Sequence, residues 1–131
     1  MTQNIKYNTK QYPYSDLTEK LIGIAYMIHR QIGSHYPEKI YQKAFEDELI
    51  SQKIKYSKEN YCKIDVNNKR AGSFRLDFLI EDKVVVELKV RNEIFNRDIA
   101  QVLSYLQTKK IKVGLIILFS SSGVKIKRLI L

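Results

Sequence analysis

Apolar residues recur along the chain with two different periods, and the change between them marks out its elements. Leu17, Leu21, Ile24, Ala25 and Ile28 fall at three- and four-residue spacing, which is one face of a helix. Ser15 is the expected N-cap, with Asp16 and Glu19 in the positive first turn, and Gly33 the expected C-terminal cap. Pro37 suits the first turn of a second helix, whose apolar stripe is Ile40, Tyr41, Ala44, Phe45 and Leu49. From about Tyr56 the period is two. Tyr61, Lys63 and Asp65 lead to a hairpin tip at Asn67-Asn68. Phe74–Ile80 predicts a second strand and, after a turn at Asp82-Lys83, Val84–Val90 a third. Helical spacing returns over Asp98–Lys109 through Ile99, Val102, Leu103 and Leu106. Lys112–Phe119 predicts a short strand that a sheet buries on both faces. A turn at Ser120–Gly123 precedes a last, basic strand, Val124–Leu131.

The order α-α-β-β-β-α-β-β predicts an α/β fold, a meander followed by a helical crossover to a further strand. Residues 1–14 are polar and predict a loose lead-in. Residues 15–131 are expected to form one domain, since 131 residues carry apolar surface for a single core.

Composition narrows the function. The longest uncharged apolar run, Val113–Phe119, is far short of the roughly 20 residues that a membrane-spanning helix needs, so no bilayer crossing is expected. Cys62 is the one cysteine, which excludes an internal disulfide and suits a reducing compartment; the cytoplasm is the expected location. Lys plus Arg number 23 against 14 Asp plus Glu, a net charge of +9. That excess favours a polyanionic partner through counterion release, or marks only a soluble basic protein. His29 and His35 are too few and too scattered for a zinc site.

Strand alternation brings in the chemistry. Val84, Val86, Leu88 and Val90 point one way, Val85, Glu87 and Lys89 the other. On the preceding strand Phe74, Leu76, Phe78 and Ile80 are expected on one face, Arg75 and Asp77 on the opposite one. Charges inside apolar strands are costly unless paired or metal-bound. Asp77, Glu87 and a backbone carbonyl make a hard oxygen set for Mg²⁺ or Mn²⁺. Lys89 beside it is placed to position or deprotonate a water, or to offset charge on a phosphate. The plainer alternative is a Glu87–Lys89 pair on an exposed face, with Asp77 at a turn. Arg75 either contacts a phosphate or pairs with a carboxylate. On the following helix Asp98, Gln101, Tyr105 and Thr108 form a polar stripe. Gln101 and Tyr105 either serve a phosphate or the lysine, or are the flank of an ordinary amphipathic helix.

Asp77, Glu87-Leu88-Lys89 and Gln101-Val-Leu-Ser-Tyr105 together resemble the PD-(D/E)XK nuclease superfamily, including the Q-x-x-x-Y element of its RecB-like branch. Leu17-Thr-Glu-Lys-Leu-Ile-Gly23, His29, Ile32-Gly33 and Glu38-Lys-Ile-Tyr41 look like the GxxExxY family within it, with His35 standing where that motif has its first Gly. The resemblance spans Ser15 to Leu131. It implies a restriction-endonuclease-like αβββαβ core, a mixed central sheet flanked by helices. It implies Asp77 and Glu87 as metal ligands with the Leu88 carbonyl, Lys89 as catalytic lysine, and Glu38 as a further acidic member of the metal site. Helical spacing puts Tyr41 on the side of Glu38, to hydrogen-bond it or line the cleft. Glu38 alone would read as a first-turn helix acid.

The expected function is a Mg²⁺- or Mn²⁺-dependent nuclease acting on DNA or RNA, DNA being favoured. The alternative is a nucleic-acid-binding or partner-binding module that keeps the fold and does little chemistry. A branched-DNA resolvase acting as a homodimer, with two sites to cut two strands, is a third expectation.

Overall fold

The computed structural model describes residues 12–58 and 60–131. Most of the expected lead-in lies outside the described residues. Its end does not hang free: Tyr12 lies 4.7 Å from the Arg128 guanidinium and Tyr14 5.6 Å from the Lys83 ammonium.

Helix α1 (Ser15–Ile32) buries Leu21, Ile24, Ala25 and Ile28, the apolar stripe of the sequence. The N-cap is Tyr14, left-handed and without a side-chain bond, so Ser15 begins the helix instead of capping it. Gly33 ends it at φ 69°, its N–H donating to the His29 carbonyl. Pro37, extended at ψ 152°, stands just ahead of helix α2 (Glu38–Ser51). Tyr41, Phe45 and Leu49 are buried there, whereas Ile40, assigned to the stripe by spacing, is 40% exposed.

The strands are β1 (Tyr56–Ser57), β2 (Asn60–Val66), β3 (Lys69–Leu76), β4 (Phe78–Ile80) and β5 (Val84–Lys89). Helix α3 (Asn96–Lys109), β6 (Val113–Ser120) and β7 (Gly123–Ile130) follow. A mixed five-stranded sheet has the order β1-β4-β5-β6-β7, with β5 and β6 parallel and the other pairs antiparallel. The parallel step needs a crossover, and α3 supplies it. Every residue of β6 is buried, as its unbroken apolar run requires. Asn67 and Asn68 carry the hairpin between β2 and β3 at φ 52° and 63°, left-handed values that asparagine tolerates well.

Two clusters hold the layers together. On one side of the sheet, Val84, Val86, Leu88, Leu115 and Ile117 pack with the buried faces of α1 and α2. On the other, Val85, Ile116 and Leu118 pack with Val102 and Leu106 of α3 and with Cys62 and Leu76 of the hairpin.

The sequence predicts one strand from Phe74 to Ile80, and here the structure differs. The strand breaks at Asp77. Up to Leu76 it pairs with β2 in a separate two-stranded sheet; from Phe78 it pairs with β5. Alternation is reset at the break: Phe74 and Leu76 face the α3 cluster, Phe78 and Ile80 the α1–α2 cluster. The four residues therefore do not share one face. Asp77 sits at the fork between two sheets.

Candidate active site

Asp77 and Glu87 meet because the ladder between β4 and β5 stops just short of them. The last paired residues are Phe78 and Val86, so one step further the register would oppose Asp77 to Glu87. Side chains take over from carbonyls at that point. The Asp77 N–H donates to Glu87 Oε1 at 3.0 Å, and the Leu88 N–H to Asp77 Oδ2 at 2.8 Å. Two backbone donors freed by the fork are thus satisfied by two carboxylates, as buried donors must be. The Leu88 carbonyl leaves the strand on the same edge as its N–H.

Lys89 Nζ stands 3.2 Å from Glu87 Oε2, at the end of β5. Its side chain is 23% exposed against 7% for Glu87. Gln42, on α2, donates from Nε2 to Asp77 Oδ1 at 2.9 Å and to Glu38 Oε2 at 3.2 Å. One amide thus ties a helix to the fork.

Burial of the pair shows in its acidity. Asp77 is pushed up to about 6, chiefly by desolvation and further by the negative charge of Glu38, against the pull of the Leu88 N–H and Lys89. Glu87 is pushed up to about 7, again by burial first and by Asp77 second. For Lys89 burial pulls downward, but Glu87 and Glu38 outweigh it and the ammonium is held above its usual range. Lys89 is therefore a cation in this site and not a free base.

The other residues singled out in the sequence divide. Glu38 stands one amide away from Asp77, bridged by Gln42, and among the described residues no group of three metal-binding side chains forms. It stands as a charged neighbour of the pair, joined to Asp77 through the Gln42 amide. Tyr41 neither reaches Glu38 nor lines the cleft: it is fully buried, its hydroxyl donates to the Gly33 carbonyl at 2.6 Å, and its ring lies 4.5 Å from Phe119. It fastens the loop between α1 and α2. Arg75 is exposed and lines a cleft of about 260 Å³ that has Asp77 in its wall. Gln101 is half-buried on α3 and hydrogen-bonds neither carboxylate nor Lys89. Tyr105 is buried among Val102, Leu106 and Leu129. Its edge opens on a different groove, with Asn60 and Lys109, and burial raises its phenol. The polar stripe of α3 therefore meets the site only at its first turn.

That meeting point is Asp98. It accepts both arms of the Arg91 guanidinium, at 2.5 and 2.9 Å, and the Phe95 N–H at 2.9 Å. The arginine first, and then the N–H, hold the acid below its usual range despite burial. This pair locks the turn from β5 into α3. His29 donates from Nε2 to the Ser120 carbonyl, 2.7 Å away, and ties α1 to the end of β6.

Gln42 and Arg91 escaped the sequence reading. Gln42 leaves one faint signal, its i+4 spacing from Glu38. Arg91 and Asp98 are seven residues apart across a turn, and no local pattern joins them.

A family model described as the PD-(D/E)XK nuclease superfamily matches residues 15–129. Among solved structures the chain is similar to the crystal structure of SSO0001, at a TM-score of 0.57 and 17% identity, over 70% of this chain and 48% of that one. At that identity the likeness concerns the fold, and this chain spans about half the length of that protein. No curated protein matches.

Proposed function

Because the chain belongs to the PD-(D/E)XK nuclease superfamily, we propose that it hydrolyses phosphodiester bonds in nucleic acid with a divalent cation held at Asp77, Glu87 and the Leu88 carbonyl. The observation that carries this is the fork: the buried Glu87 and the half-buried Asp77 are brought together where the ladder ends, each bound to a backbone N–H beside the other, and both hold protons above their usual range. The donor set fits a hard cation. It is all oxygen, it is crowded with negative charge, and each carboxylate oxygen keeps a second lone pair beyond its present hydrogen bond. Bound there, Mg²⁺ or Mn²⁺ supplies Lewis acidity toward a phosphate oxygen and lowers the pKa of water.

The chain's own groups do the rest. Lys89, held protonated by Glu87 and Glu38, offsets charge that builds on the phosphate in the transition state. Gln42 fixes the rotamer of Asp77. Glu38 acts through that amide and through its field on Asp77 and Lys89. DNA is the favoured substrate and the GxxExxY family the finer assignment; Gln101, half-buried on α3, is the amide proposed to serve a phosphate or Lys89.

The test uses single-stranded, duplex and branched DNA and RNA with Mn²⁺ or Mg²⁺. Cleavage should occur, and Lys89→Ala should slow it on the order of a hundredfold or more. In calorimetry Glu87→Ala should weaken Mn²⁺ at least about a hundredfold. Cleavage unchanged in both variants would sink the proposal.

A second reading, a binding module with a closed site, draws on the hydrogen bonds that already engage all four oxygens of the pair. It predicts no measurable Mn²⁺ binding by the intact chain, and nucleic-acid affinity indifferent to chelator.

A further inference from the structure

The cleft beside Asp77 carries more positive charge than its neighbours neutralise. Lys39, Lys43, Lys58 and Arg75 line it, with Glu46 and Asp77 the acids in its wall. Two of the four cations are engaged. Lys43 pairs with Asp47 at 2.5 Å and Lys58 with Glu46 at 3.2 Å. Glu46 is held a second time by the Tyr56 hydroxyl, at 2.5 Å. Among the described residues Lys39 and Arg75 have no acidic partner within salt-bridge distance.

These two cations come from different elements and each adjoins a residue of the site. Lys39 follows Glu38 in the first turn of α2, and Arg75 precedes Asp77 by two on β3. Asp77 is thus a shared wall, with Glu87 and Lys89 behind it and the basic cleft in front. The cleft, about 260 Å³, admits a phosphodiester group but not a stacked base pair. An arginine fork and a lysine point charge lining one small opening suit the oxygens of a phosphate.

We propose that Lys39 and Arg75 hold the backbone phosphate next to the one that meets Asp77 and Glu87. The substrate is then an oligonucleotide strand with at least two successive phosphates, gripped without regard to sequence. This rests on the phosphodiesterase reading of the site but concerns binding, and the two are separable by experiment.

Anisotropy of a short fluorescent single strand and of its duplex, measured in chelator over a range of salt, tests it. Lys39→Ala and Arg75→Ala should each reduce the slope of log affinity against log salt by about 0.7 for the single strand and about 0.9 for the duplex. Lys55→Ala, an exposed lysine outside the cleft, should leave the slope unchanged. Arg75→Lys should keep the slope, since charge is retained, while affinity falls. The proposal is overturned if neither probe binds, if both cleft variants keep the wild-type slope, or if Lys55→Ala lowers it equally. Mn²⁺-dependent cleavage is scored apart. Slopes that fall in a protein that cuts nothing uphold the phosphate grip and defeat the nuclease reading; cleavage with unaltered slopes does the reverse.

Discussion

Glu87 is held in place at a thermodynamic disadvantage. Its carboxylate is almost wholly buried beside that of Asp77, and among the described residues the one cation in contact with it is Lys89. Burying like charges costs stability that only a cation restores. Glu87→Gln removes one charge and keeps an acceptor for the Asp77 N–H, while Lys89 turns toward solvent. The metal-free variant is expected to melt at or above the wild-type temperature at about pH 8 and to lose Mn²⁺ binding, as substitutions in strained functional sites often do. A fall of several degrees in a thermal melt would mean that the carboxylate serves the fold instead.

Among the elements, α3 and β6 pack closely at a glycine. Gly114 of β6 lies under the helix, and a Cβ there would stand 2.6 Å from Val102 Cγ1 and 3.4 Å from Val85 Cγ1. These are β-branched side chains packed in the core, with little room to withdraw. Gly114→Ala is expected to cost about 1–3 kcal/mol, read as a lowering of Tm by roughly 4 °C or more. An unchanged Tm would show that the helix can ride outward freely. Because α3 sets Asp98 against Arg91 beside the site, such a shift should also reduce cleavage. Sequence periodicity located α3 and β6 to within two residues, since burial on one face or on both leaves a strong pattern. The split of Phe74–Ile80 into β3 and β4 left none. Its residues alternate as one strand would, and the break arises only from β2 and β5 competing for the same segment.

For the molecule as a whole, the acid pair makes stability depend on pH in an unusual direction. Asp77 and Glu87 hold protons up to about 6 and 7 when folded, against ordinary values of 3.8 and 4.5. Between those limits the folded chain binds more protons than the unfolded one, so metal-free stability falls as pH rises. Asp98 and Glu46, shifted downward, act oppositely, with their loss confined to more acidic solution. The metal-free Tm should therefore be higher at about pH 5.5 than at about pH 8. Saturating Mn²⁺ should raise Tm more at the higher pH, because protons compete for the same oxygens below about 7. A metal-free Tm that climbs from the lower pH to the higher would contradict the burial of this pair. No helix of the described residues is long and apolar enough to cross a membrane.

The sequence by itself determined the α/β class, both helical hairpin elements, the buried β6 strand and the sites of the turns, because burial period and turn chemistry are local properties. It also singled out Asp77, Glu87 and Lys89, since charge inside an apolar strand is conspicuous along one dimension. What only the tertiary structure decided is how those charges meet. The fork at Asp77, the exchange of side-chain for backbone hydrogen bonds, the Gln42 bridge to Glu38, the retreat of Tyr41 into the core and the basic cleft of Lys39 and Arg75 all join residues from separate elements. Their energies depend on which segments share a surface, and no spacing along the chain carries that information.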